Sequence, residues 1–380
     1  MSVLYELAVL GAPTDEQLAE LESIVGDAVQ KFGLWWRNEV AWSVRPTTFA
    51  PNQRNAAAAV FYGATGIDAN DVDALVQRAI PILPVVSDTT KVRDELPAVL
   101  RHLNCLDYRA GGAQRVATCL LECVGRLSRQ RRVFLSYRRD EARQAALQLF
   151  DAFSARLFDV FLNTHGIAPV EDFQTMLWHR LCDSDVLVML DTPNYFDSRW
   201  TSAEFGRALA KNIAVLRVAW PDSTPSVRTA TANRAERLHT DVDTATGRLA
   251  DTAIERICLQ LEAVRSESHA VRNANLVSQL RNEAERINGQ IVGFGPHKSV
   301  HLRVPDDRES VVFPTLGVPT STTLHDAVTR SPNRPAAVVY DHVGLHPRWL
   351  EHLDWLGEHV RAARWVKASE AAWQFADWEA

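Results

Sequence analysis

Cysteine is scarce and never closely paired in this chain. Five residues, Cys105, Cys119, Cys123, Cys182 and Cys258, are scattered over 380 positions without a CxxC pair. That excludes a disulfide framework and a cysteine-rich zinc site. Cys119 and Cys123 share one face of an apolar helical stretch and read as small buried hydrophobes. Sparse, unpaired thiols fit a reducing, cytoplasmic setting. No run of about 18 apolar residues occurs, so no membrane span is expected. The opening MSVLYELAVLGAPTDEQ has no basic segment and meets acidic residues at once, so it does not read as a signal peptide. Positive charge is not in surplus either: the formal net charge is -6, which speaks against a general nucleic-acid binder. Low-complexity tracts and fixed-period repeats are absent from the sequence. His342, His346, His352 and His359 cluster, and His352 and His359 share a helical face at i, i+7, but a metal site there needs closer spacing, such as i, i+4, and a third ligand, so no metal site is expected.

What is present is an ordinary globular composition, 46% hydrophobic and 23% charged, in a chain long enough for two or three domains. Short apolar runs alternate with helical periods throughout. LYELAVLGA reads as a strand, and TDEQLAELESIVGDAVQKF as an amphipathic helix capped by Thr14 with Gln17 three residues on. AAAAVFYGA and IPILPVVSD read as further strands, and QRVATCLLECVGRL as a closing helix. The same rhythm recurs in RVFLSY, DVFLN, DVLVML and NIAVLRVAW, and again in PAAVVYDH, HPRWLEHLDWLGEHVRAA and ARWVKA. This predicts an α/β chain of three consecutive flavodoxin-like or Rossmann-like units with mainly parallel sheets, over 1–127, 130–264 and 265–380. The basic stretch Arg126, Arg129, Arg131, Arg132 reads as a solvated linker at the first boundary. Residues 222–250, rich in Ser, Thr, Asp and Ala, read as an exposed connection, followed by a helix from about Leu249 to Ile287. Trp349 and Trp355 read as core on one helical stripe, and Trp35–Trp36 as core in the first unit.

Four segments of the central unit, in order, resemble the TIR (Toll/interleukin-1 receptor) family. VFLSYRRDEA (133–142) is similar to its opening strand and loop, and DVFLN with THGIAP to its second strand and BB loop. SDVLVMLDTPNYFDSRW (184–200) is similar to the Ser-Asp strand and its Tyr, Ser and Trp followers, and WTSAEF (200–205) to the tryptophan–glutamate signature. The resemblance implies a bacterial-type NAD glycohydrolase with Glu204 as catalytic residue. NAD is then the substrate and no cofactor is needed. Breaking the nicotinamide–ribose bond builds oxocarbenium character, which a carboxylate stabilises. Nicotinamide leaves as a neutral molecule, so one carboxylate suffices. The expected products are nicotinamide and ADP-ribose, or a cyclised or conjugated ADP-ribose signal, in anti-phage defence. Family resemblance also implies self-association, with the pocket completed by a neighbouring subunit, and a partner protein of the same defence system.

Ligands of open α/β sheets lie beyond the carboxyl ends of the strands. Tyr137 and Arg138 follow the first strand of the unit, Asn163 and His165 the second, and Asp191, Trp200 and Glu204 the third, so these are the expected substrate contacts. Arg138 suits a phosphate, and Tyr137 or Trp200 a stacked ring. Plainer roles stand beside each. Glu204 opens AEFGRALA, where a helix terminus favours a carboxylate. Trp200 suits packing, Arg138 and Arg139 suit a solvated loop, and Asp140 suits a helix cap. Asp191 stands where the family has serine, adding negative charge near the pocket, and Phe173 replaces a BB-loop tryptophan. A second expectation is a non-catalytic TIR scaffold that recruits partners. A third takes the flanking units as a nucleotide-signal sensor with the TIR as output, the first of them being a degenerate relative of the same fold.

Overall fold

The computed structural model describes residues 2–52, 54–67, 72–162, 173–224 and 226–377. They fall into two compact units, 1–129 with 295–298, and 130–294 with 299–380. The first unit runs β1 (Tyr5–Gly11), α1 (Asp15–Lys31), β2 (Val40–Val44), β3 (Ala56–Tyr62), α2 (Val72–Gln77), β4 (Ile82–Val86), α3 (Val92–Glu95), β5 (Leu106–Asp107) and α4 (Gly112–Cys123). Its strands are all parallel, in the order β2-β1-β3-β4-β5. Thr14 closes the expected capping box: its hydroxyl accepts from the Gln17 N–H while the Gln17 side chain accepts from the Thr14 N–H. Gly11 turns the chain out of β1 at φ +79°, and a Cβ there would sit 2.1 Å from the Tyr62 carbonyl oxygen.

The second unit holds two sheets. The first comprises β6 (Arg131–Ser136), α5 (Arg139–Ser154), β7 (Phe158–Leu162), α6 (Phe173–Asp183), β8 (Val186–Asp191), α7 (Arg199–Ala210), β9 (Ala214–Ala219) and β10 (Arg234–Arg237). All its pairings are parallel, in the order β10-β9-β8-β6-β7. Counted along the chain this is the same order as in the first unit, the doubly wound 2-1-3-4-5 arrangement. Strands buried on both faces explain the unbroken apolar run of β8.

Helix α8 (Asp251–Arg286) is 36 residues long and runs from this sheet to the next. Its first half places Ile257, Leu261 and Val264 in the core of the β6–β9 sheet. Its last turns place Leu276, Leu280 and Ala284 in the core of the third sheet. Between them the buried Asp185 carboxylate accepts from Arg265 Nε at 2.7 Å and lies 3.0 Å from His269 Nε2. Burial alone would push the Asp185 pKa up, but His269 and Arg265 hold it well below the ordinary carboxylate range.

The third sheet comprises β11 (Gln290–Phe294), β12 (Val300–Val304), β13 (Arg308–Thr315), α9 (Ser321–Arg330), β14 (Ala336–Tyr340), α10 (Pro347–His359), β15 (Ala363–Lys367) and α11 (Ala371–Ala376). It is mixed rather than parallel. β11-β12 and β12-β13 are antiparallel because short turns join them, and only β13-β14 and β14-β15, joined through helices, are parallel. The loops after β13 and β14 pack on α6 and on the end of α7. The Val318 N–H donates to Asp183 Oδ1 at 2.8 Å, the His346 N–H donates to His179 Nδ1 at 3.1 Å, and Lys211 pairs with Asp341. Gly344 lies against Cys182, where a Cβ would come within 2.7 Å of its Sγ.

Several sequence expectations are corrected here. The basic stretch is a solvated linker only at Arg129, which is exposed. Arg126 is buried over the Phe32 ring, Arg131 opens β6 and is buried against Glu262, and Arg132 pairs with Asp183. The segment 222–250 contains an edge strand, β10. Trp355 is 53% exposed, stacked at 6.1 Å on His352, while Trp349 is partly buried and donates to the Pro319 carbonyl oxygen. Trp35 is exposed and its neighbour Trp36 packs on Trp42.

Candidate active site

Side-chain alternation along β6 decides which residues meet. Val133 and Leu135 face the core shared with α5 and α8, whereas Phe134 faces α6 and α7. Ser136, the last residue of β6, falls on the Phe134 face, and its hydroxyl donates to Glu204 Oε2. A hydroxyl has one hydrogen, so the Tyr195 Oη, 2.7 Å from Ser136 Oγ, must be the donor in that second contact. The result is a directed chain, Tyr195 to Ser136 to Glu204, with all three side chains fully buried.

Glu204 is carried by α7, which begins at Arg199 with the Ser198 hydroxyl as cap. It therefore sits in the second turn, beyond the reach of the helix terminus, and the terminal-charge explanation of this glutamate fails. Three residues separate Trp200 from Glu204, which puts the two one turn apart on the same helix face. Burial pushes the Glu204 pKa up to about 7, and the Ser136 hydrogen bond opposes that rise. The Tyr195 phenol is pushed well above its ordinary value, first by burial and then by Glu204, which keeps it a neutral donor.

The other expected contacts are divided by the fold. Arg138 caps α5 backbone-first; its guanidinium donates to the Asn194 carbonyl oxygen at 2.8 Å and lies 3.6 Å from Glu141. Asn194 Nδ2 in turn donates to Glu141 at 2.7 Å, so the loops after β6 and β8 are tied together. Burial acts to raise the Glu141 pKa, but hydrogen bonds from Thr192 and Asn194, with Arg138, hold it below the ordinary value. Tyr137 packs in the opposite core with Val133 and Leu135, so it is not placed to stack on a ligand beside Glu204. Asp191 is buried and paired with Arg217, whose Nε donates at 2.7 Å. Its negative charge is therefore compensated rather than presented to a pocket. Burial pushes the Asp191 pKa up, against the pull of Arg217 and Ser223. Trp200 is half-buried, with the Arg199 guanidinium 4.8 Å from its ring centre. Asp140 lies in the first turn of α5 and not at its cap. Asn163 and His165 lie outside the described residues.

Ser136, Tyr195 and Arg217 were not singled out from the sequence. Tyr195 stood inside the SDVLVMLDTPNYFDSRW segment, and strand parity would have paired Ser136 rather than Tyr137 with Glu204.

A doubly wound parallel sheet with a buried glutamate and its hydroxyl donors at the carboxyl edge defines the class: an α/β domain of flavodoxin-like topology with a candidate site on its rim. The TIR domain family model matches residues 133–258, and this part of the chain is a TIR domain. No curated protein matches the chain. Among solved structures, tagatose-6-phosphate ketose/aldose isomerase from Escherichia coli matches over 73% of this chain and 84% of its own at 14% identity. Its TM-score of 0.19 is too low to carry an argument about fold or function. No helix among the described residues is long and apolar enough to cross a membrane.

Proposed function

We propose that the TIR domain cleaves the nicotinamide–ribose bond of NAD, with Glu204 as the carboxylate that stabilises the developing oxocarbenium ion. The observation that carries this reading is the buried Glu204 side chain, held by Ser136 at the carboxyl rim of the sheet with a pKa of about 7. Burying an ionisable carboxyl costs free energy, and such groups cluster where chemistry needs them. The Ser136 hydroxyl favours the ionised form that the reaction uses. The Tyr195–Ser136 chain fixes the orientation of that carboxylate before substrate arrives. Arg138 and Trp200 are the proposed contacts for phosphate and ring, with Asn163 and His165 after β7. NAD is substrate, so no cofactor is required. The product is ADP-ribose or a cyclised or conjugated form of it, made in bacterial anti-phage defence in the cytoplasm.

TIR domains commonly self-associate, and we take assembly to be the event that opens this site. The units before and after the TIR domain, over 1–127 and 265–380, are proposed as the parts that govern it. The shared 2-1-3-4-5 strand order supports reading the first as a degenerate TIR-like unit. A second reading, a non-catalytic scaffold, draws support from the complete burial of Glu204, since a carboxylate with no solvent access serves packing as readily as chemistry. The two separate in one experiment: the full chain and its Glu204→Gln form are incubated with NAD at high protein concentration, and products are resolved by chromatography and mass. Nicotinamide released by the wild type and lost in the variant supports the enzyme. Its absence from the wild type in every assembled state leaves the scaffold.

A further inference from the structure

We infer that a cavity at the carboxyl ends of β13 and β14 binds a phosphate-sized dianion, either free phosphate or the terminal phosphoryl group of a metabolite. The cavity measures about 120 Å³, and its polar lining includes Lys211, Asn212, Arg272, Asn275, Gln279 and Asp341. It lies beside Thr315, where β13 ends, and Asp341, which follows β14. These two strands are parallel, so the cavity occupies the position where open α/β sheets take their ligands. Helix α8 and the end of α7 close it from the other side.

The charges argue for an anion. Two cations, Lys211 and Arg272, face one carboxylate, Asp341, and the remaining lining residues are neutral. Asp341 is already paired with Lys211. The Arg272 guanidinium donates only to two backbone carbonyls, those of Ser184 at 2.9 Å and Cys182 at 3.5 Å, and forms no ion pair among the described residues. The acids nearest to it are engaged elsewhere: Asp183 by Arg132 and the Val318 N–H, Asp185 by Arg265 and His269. Burial pushes the Arg272 pKa down, against the pull of Asp185, Asp341 and Asp183, so a bound anion would relieve the cost of burying this cation. A guanidinium with free N–H groups beside an ammonium and three side-chain amides is a donor set suited to a tetrahedral oxyanion. The cavity, at about 120 Å³, has room for several water molecules and therefore for a phosphate group. A larger metabolite would insert its phosphoryl end.

The test uses the full chain at constant ionic strength. Isothermal calorimetry and thermal melting are run with sodium phosphate, with ribose 5-phosphate and with chloride alone, on the wild type, Arg272→Gln and Lys211→Gln. The expected result is saturable binding of phosphate or of ribose 5-phosphate, a rise in Tm absent in chloride, and at least tenfold weaker binding in each variant. Tighter binding of the monoester identifies a phosphorylated metabolite as the guest; equal or tighter binding of phosphate identifies the free ion. Lack of saturable binding of either compound overturns the inference, and so does unchanged affinity in the variants. Should Arg272→Gln fail to fold, Lys211→Gln decides alone. NAD turnover is not read, so the outcome stands apart from that of Glu204.

Discussion

Replacing Glu204 by glutamine tests the site through stability as well as chemistry. The carboxyl has an ordinary pKa of 4.5 in the unfolded chain and about 7 in the folded one. The native state thus holds this proton over a range in which the unfolded state has released it. Stability is then highest below pH 4.5 and falls as pH rises toward 7, where the buried group finally ionises. At about 1.4 kcal/mol per pH unit, the full burden of the ionised side chain is about 3.5 kcal/mol. Glutamine has nearly the same shape, still accepts from Ser136 and never ionises. Relative to wild type, the variant should therefore gain roughly 2 to 3 kcal/mol between pH 5 and pH 8. Urea unfolding of both proteins at both pH values measures this, and all other titrations cancel in the double difference. A double difference below about 1 kcal/mol, or one of opposite sign, refutes the claim that burial dominates the Glu204 environment. The same variant should release nicotinamide at least about 100-fold more slowly, because its neutral amide cannot oppose the positive sugar. Wild-type turnover should rise through about pH 7 as the carboxylate forms.

Ser136→Ala removes the donor that lowers the Glu204 pKa, so the rising limb of the pH–rate profile should move above pH 7; an unmoved limb contradicts the hydrogen-bonded chain. Arg217→Met leaves Asp191 buried without its cation and should cost about 3 to 5 kcal/mol in chemical denaturation, much of it restored by adding Asp191→Asn. His179 has its pKa pulled from 6.5 to about 4, chiefly by burial, so the unfolded state binds its proton first. The contribution of this histidine is complete above pH 6.5 and is lost as pH falls toward 4, and His179→Gln should flatten that part of a Tm–pH curve. If assembly opens the site, specific activity should fall on dilution to a monomer verified by light scattering; full activity there refutes the requirement.

Strands that are apolar throughout were legible because a doubly wound sheet buries both faces: AAAAVFY, VLVML and IAVLRVA correspond to β3, β8 and β9. Helix α1 announced itself through Thr14 and Gln17. Strand β10 did not, since RAER is an exposed edge strand held mainly by backbone pairing to β9. The buried arginines were misread because composition cannot show that Glu262 and Asp183 lie opposite them. At the site, Glu204 came from its flanking motif, but its partner did not. Neighbouring residues at a strand end face opposite sides, and choosing Tyr137 over Ser136 selected the wrong face. The compensation of Asp191 by Arg217 joins residues 26 positions apart and has no local signature.

Helix α8 separates two meanings of a domain boundary. The family match stops at residue 258, in the first third of a helix that continues to Arg286. The family pattern ends there; the packing does not. A helix of this length extends about 54 Å, and its two ends are interior to different sheets. A cut near the limit of the match would strip Leu261, Val264 and the Arg265 clasp on Asp185 from the TIR core, so the matched segment is not a self-sufficient core. Any fragment carrying the TIR domain has to inherit the beam that joins it to the sheet beyond.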